Sequence, residues 1–188
     1  MLTLALPFPA IDPVLIEIGP LAIRWYALAY IAGLVLGWQY VKRLVQRPGW
    51  RLTPTDIDDL LVYITLGVVI GGRLGYVLFY RPGYYLSNPL EALAVWHGGM
   101  SFHGGALGVL AAALIFARLR HRSALEIVDA VCAAAPLGLF FGRIANFING
   151  ELFGRVTDVP WAMVFPHGGD LPRHPSQLYE AGLEGLLL

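Results

Sequence analysis

Apolar positions along the chain gather into long runs separated by short polar segments. A bilayer-spanning helix needs about 20 mostly apolar residues. The runs over 22–41, 60–80, 104–118 and 125–148 reach or approach that length. A fifth run, QLYEAGLEGLLL (177–188), ends on three leucines with no polar stop, as expected of a chain cut inside a helix. The pattern predicts an all-α fold: a single transmembrane domain over 1–188, a polytopic membrane helical bundle. It has four complete spans plus a truncated fifth, with an outer N-terminal segment (1–21) and an outer loop (150–176). The stretch PGYYLSNPL (82–90) reads as a further outer loop or interfacial segment.

Within the runs, glycines recur four apart: Gly33/Gly37, Gly67/Gly71/Gly75, Gly104/Gly108 and Gly138/Gly142. Lipid offers helices no hydrophobic drive to associate, so small residues that let backbones approach closely are the expected packing faces.

Composition supports a membrane setting. The 188 residues are 57% hydrophobic and 14% charged, with mean hydropathy +0.62. Soluble domains carry about one-quarter charged residues. Net charge is zero, so no global basic field points to nucleic acid. The single cysteine, Cys132, excludes an internal disulfide and reads as a small core residue. The start, MLTLALPFPAIDP, has no basic n-region and is broken by prolines, which predicts no cleavable signal peptide.

Charge orients the spans. Lys42, Arg43, Arg47 and Arg51 lie between the first two, and Arg118, Arg120 and Arg122 between the third and fourth, seven of the 13 basic residues. By the positive-inside rule these loops are cytoplasmic. The N-terminus, the 81–103 loop and the 150–176 loop then face outward.

Three features carry candidate chemistry. In FGRIANFING (141–150), Arg143 and Asn146 lie one turn apart on one helical face, and Asn149-Gly150 is a turn signal. Glu151 is then free to fold back toward Arg143. An arginine snorkelling to the interface beside capping asparagines is the bland reading. An ionisable group inside a span is, however, a functional-site hypothesis by default. In HGGMSFHGG (97–105), His103 stands at the mouth of the third span, with a side chain suited to proton transfer near neutral pH. His97 and His103 have no carboxylate partner at ligand spacing, so no metal site is predicted. Tyr26, at the mouth of the first span, reads as an interfacial aromatic. Arg73 needs an acidic or backbone partner, and Asp129 is a candidate.

Taken together, GRIANFINGELFG (142–154), HGGMSFHGG, IGPLAIRWYALAY (18–30) and LPRHPSQLYE (171–180) resemble the prolipoprotein diacylglyceryl transferases along essentially the whole chain. The resemblance implies a bacterial inner-membrane enzyme that moves the diacylglyceryl group of phosphatidylglycerol onto the lipobox cysteine of a preprolipoprotein. A thioether forms and glycerol 1-phosphate leaves. It implies His103 as the base, Arg143 as the phosphate-binding group, and Asn146 and Tyr26 as headgroup contacts. Glu151 would orient Arg143, and Gly154 would keep the outer turn open. No cofactor or metal is implied, because the lipid is already an activated donor. Family members continue for further spans, where a second needed arginine lies. Two readings from other classes compete: a transporter or channel with Arg143 and Asn146 at an anion-binding broken helix, and a purely structural membrane subunit.

Overall fold

The computed structural model describes residues 5–9, 11–19 and 21–188. They form two compact units: residues 1–40 with 133–188, and residues 41–132. Helices dominate both. They are α1 (Trp25–Leu44), α2 (Pro54–Phe79), α3 (Pro82–Ser87), α4 (Phe102–Leu119), α5 (Ala124–Ile148) and α6 (Ser176–Glu180). Two short 3₁₀ helices follow α3, over Pro89–Leu93 and Val95–His97, and a π-helical run, Ala181–Leu186, continues α6.

The all-α expectation needs one correction. In the first unit, β1 (Leu6–Pro7) pairs in parallel with β4 (Met163–Val164), and β2 (Val14–Ile18) pairs antiparallel with β3 (Leu21–Arg24). Residues 22–24, expected in the first span, are therefore strand, and the helix starts at Trp25. The apolar character of LAIR suits a strand as well as a span, so hydropathy alone could not separate them.

Among the described residues, three helices are long and apolar enough to cross a membrane: α2, α4 and α5. Their burial is inverted relative to soluble helices. Only 11% of the most apolar α5 window is buried, while Leu66, Ile70, Leu74 and Leu78 of α2 are exposed. Such faces suit lipid. Cys132, expected in the core, is likewise exposed.

Where helices meet, glycines make the closest approaches. In the second unit a Cβ at Gly67 would come 2.5 Å from the Gly108 carbonyl oxygen, and one at Gly75 would meet Gly104 Cα at 2.8 Å. In the first unit a Cβ at Gly33 would meet Gly138 at 3.2 Å, and one at Gly37 would meet Ala134 at 3.3 Å. The small-residue faces thus pack α2 against α4, and Gly33/Gly37 pack α1 against α5; the expected Gly138/Gly142 face is corrected, since a Cβ at either would meet nothing within 4 Å. Substitution at Gly108 should show this. Its Cβ would lie 2.8 Å from the Gly67 carbonyl carbon, whereas one at Gly105 finds only the Val68 carbonyl oxygen, at 3.9 Å. Gly108→Ala should cost ~1–3 kcal/mol by overpacking, while Gly105→Ala should be neutral or gain from helix propensity. Thermal unfolding of the two variants in detergent makes the comparison, and equal losses would contradict the packing.

The second unit also uses its charges locally. Thr53 and Asp56 form a reciprocal capping box on either side of Pro54, which starts α2 six residues before the expected boundary. Arg122 reaches Asp56 at 2.7 Å, Lys42 reaches Asp58 at 2.8 Å, and Arg120 pairs with Asp59. Arg73 is buried and donates to the carbonyls of Glu91 (2.6 Å), Ala92 (2.8 Å), Gly98 (2.5 Å) and Gly99 (3.2 Å). Its partners are therefore backbone, not Asp129, which is exposed. The 3₁₀ helices and glycine turn offer carbonyls to the five-donor fork.

Candidate active site

The α5 C-terminus builds the site in the first unit. After Ile148 the chain reverses through Gly150, whose φ of 66° suits a residue without Cβ. The Glu151 amide donates to the Asn146 carbonyl at 3.0 Å and the Gly150 amide to the Phe147 carbonyl at 2.9 Å. This is a Schellman closure, which satisfies carbonyls that the helix end leaves open. Asn149-Gly150 signals this turn in the sequence, and the helix ends where expected.

The reversal brings Glu151 back over the helix end, with different partners from those predicted. One carboxylate oxygen of Glu151 accepts from Asn146 Nδ2 at 3.0 Å and from Asn149 Nδ2 at 3.2 Å. Arg143 pairs instead with Glu180, Nη2 to Oε2 at 2.5 Å. The expected Glu151–Arg143 pairing is corrected accordingly. Glu151 is taken up by the two amides, whose donors lie on the turn it closes. Glu180 was missed because it stands far along the chain. Its signal was present: a carboxylate inside the apolar run QLYEAGLEGLLL requires a partner, and Arg143 required one too.

Helix α6 is fastened to this turn. The Glu151 carbonyl accepts from Gln177 Nε2 at 2.6 Å, and the Leu152 carbonyl accepts from Ser176 Oγ at 3.1 Å. Gln177 is fully buried, and its Oε1 has no hydrogen-bond partner among the described residues. Gly154 serves close approach: a Cβ there would lie 2.9 Å from His174 Cβ, and its amide donates to the His174 carbonyl at 2.9 Å. Tyr26, near the start of α1, shares a 3.3 Å hydroxyl contact with Tyr30.

Tyr26, Arg143, Asn146, Glu151 and Gly154 thus all belong to the first unit. His103 belongs to the second. It is the second residue of α4, exposed, behind the N-cap Ser101, whose Oγ accepts from the Gly104 amide at 3.1 Å. His97 in the same unit has a carboxylate neighbour that sequence spacing did not reveal: its Nδ1 lies 3.2 Å from Glu91. A cavity of about 740 Å³ touches Asn149 together with Phe8, Phe165 and His167, but Arg143, Asn146 and Glu151 do not line it. The chemistry of the cluster, a guanidinium with two carboxylates and two amides at the end of an apolar helix, suits a polar headgroup attached to lipid.

Comparison with known proteins gives the family. The family profile described as prolipoprotein diacylglyceryl transferase matches residues 13–188. A phosphatidylglycerol–prolipoprotein diacylglyceryl transferase of Paramagnetospirillum magneticum is 67% identical over 188 residues, covering 100% of this chain and 70% of the relative. Its counterpart in Rhodospirillum rubrum is 66% identical over 186 residues, covering 98% of this chain and 68% of the relative. That of Methylocella silvestris is 63% identical, covering 96% and 68%. The chain belongs to the prolipoprotein diacylglyceryl transferase family.

Proposed function

We propose that the chain transfers the diacylglyceryl group of phosphatidylglycerol to the lipobox cysteine thiol of a preprolipoprotein, releasing glycerol 1-phosphate. The observation that carries this reading is the pair of polar contacts at the end of an apolar helix, Arg143–Glu180 and Asn146–Glu151, in a chain 67% identical to a relative named for that reaction. Family membership also sets aside the transporter and structural-subunit readings.

His103 takes the thiol proton, and the thiolate attacks the glycerol carbon that carries the phosphate. The carbon–oxygen bond breaks, its electron pair stays on the phosphate, and Arg143 stabilises that growing charge. Asn146 and Tyr26 hydrogen-bond the headgroup. Glu151 holds the two asparagine amides in place, and Gly154 lets the His174 backbone lie close. Membranes carrying the chain, given labelled phosphatidylglycerol and a lipobox peptide, should label the peptide; a labelled free lipid product with an unmodified peptide would refute transfer.

The proposed setting is the bacterial inner membrane, crossed four times by α1, α2, α4 and α5, with the N-terminus outside and α6 entering as the start of a further helix. Cysteines placed at Gly49 and His121 should resist an impermeant maleimide in intact cells, while cysteines at Gly83 and Gly168 should react. Modification of position 49 from outside would reverse the orientation.

A further inference from the structure

The Arg143–Glu180 pair poses a charge problem that the transfer reaction must resolve. Around the α5 end, Arg143 pairs with one carboxylate, Glu180, while a second, Glu151, accepts from the Asn146 and Asn149 amides. A phosphodiester brings one more negative charge and gains another as its bond to carbon breaks. A guanidinium recognises phosphate best through two parallel N–H groups, yet Nη2 of Arg143 is engaged by Glu180 at 2.5 Å.

Glu180 is held in place from both sides. Ser176 and Gln177 tie the start of its helix to the 151–152 turn. Beyond it, a Cβ at Gly185 would lie 2.6 Å from Phe140 Cβ, so that segment packs against α5 one turn before Arg143. The π-helical run starts at the residue after Glu180, and such runs are rare and frequent at functional sites. The pair itself stays accessible, with side chains 28% and 32% exposed.

We propose that Glu180 is a positioning residue that holds the Arg143 guanidinium and exchanges with the phosphodiester. It gives up Nη2 when phosphatidylglycerol binds and takes it back as glycerol 1-phosphate departs. This rests on Arg143 being the phosphate-binding group. A brace that serves folding alone has no reason to weaken lipid binding, whereas a competing carboxylate does.

The test measures binding of short-chain phosphatidylglycerol and of glycerol 1-phosphate to the detergent-solubilised chain, with turnover and thermal midpoint alongside. Glu180→Gln, which keeps the shape and removes the charge, should bind both probes about 3-fold or more tightly, as expected for a partly exposed ion pair. Its KM should fall, and its kcat should fall as well, because the product anion is no longer displaced. Glu180→Asp, which keeps the charge, should stay near the wild type in affinity. Unchanged or weaker binding by a folded Glu180→Gln protein would overturn the exchange. A Glu180→Gln protein that cannot fold would make Glu180 a brace and overturn it too. A wild-type chain that binds neither probe would instead remove the phosphate reading of Arg143 beneath it.

Discussion

Arg143→Lys is expected to insert and fold normally but to transfer diacylglyceryl at least ~30-fold more slowly. Lysine keeps a positive charge on a long stem, so it can still reach Glu180, which is about a third exposed, and it can still snorkel. What it loses is the planar fork. One ammonium cannot hold two oxygens of a phosphodiester in parallel while a carboxylate stands beside it. A charge-assisted contact that strengthens as the phosphate leaves contributes roughly 2–4 kcal/mol, or ~30- to 1000-fold in rate. Turnover against phosphatidylglycerol concentration, at matched protein level, measures this. Normal turnover would mean that the arginine serves only the membrane interface.

The other large effect is expected at His103. His103→Gln should abolish most transfer, a loss of ~10²–10⁴-fold, with phosphatidylglycerol still bound. His103 is exposed at the start of α4, and the Ser101 cap does not depend on it, so the helix should form unchanged. A cysteine thiol has a pKa near 8.5, so only a small fraction is thiolate at neutral pH without a base. The sign of the pH dependence follows. As pH rises toward the thiol's own pKa, the thiolate forms unaided and the deficit of the variant should shrink. Activity within about twofold of wild type at neutral pH, small beside the usual general-base contribution, would remove His103 from the mechanism.

Much of this was legible in the sequence because bilayer physics writes itself into short patterns. The α2, α4 and α5 runs and the Gly67/Gly71/Gly75 face follow from hydropathy and small-residue spacing, and the α5 end from Asn149-Gly150. What was hidden depended on distance along the chain or on context. The β2–β3 pairing lies in residues whose apolar character suits strand or span alike. Glu180 meets Arg143 only because Ser176 and Gln177 anchor α6 to the 151–152 turn, a contact that no local pattern announces. Arg73 found carbonyls where Asp129 was expected, because the 3₁₀ turns that supply them carry no sequence signature as clear as a carboxylate.

The central claim is that a thiolate displaces phosphate from the diacylglyceryl carbon at the Arg143 site. Phosphatidylglycerol labelled separately in its acyl chains and in its phosphate tests this most directly, with a lipobox peptide as acceptor. The acyl label should move to the peptide in a form that resists neutral hydroxylamine, which spares both the thioether and the acyl oxygen-esters, while the phosphate label is released in water-soluble glycerol 1-phosphate. Acyl label removed from the peptide by neutral hydroxylamine, with the phosphate label still in lipid, would show acyl transfer to the thiol and contradict displacement of phosphate from the diacylglyceryl carbon.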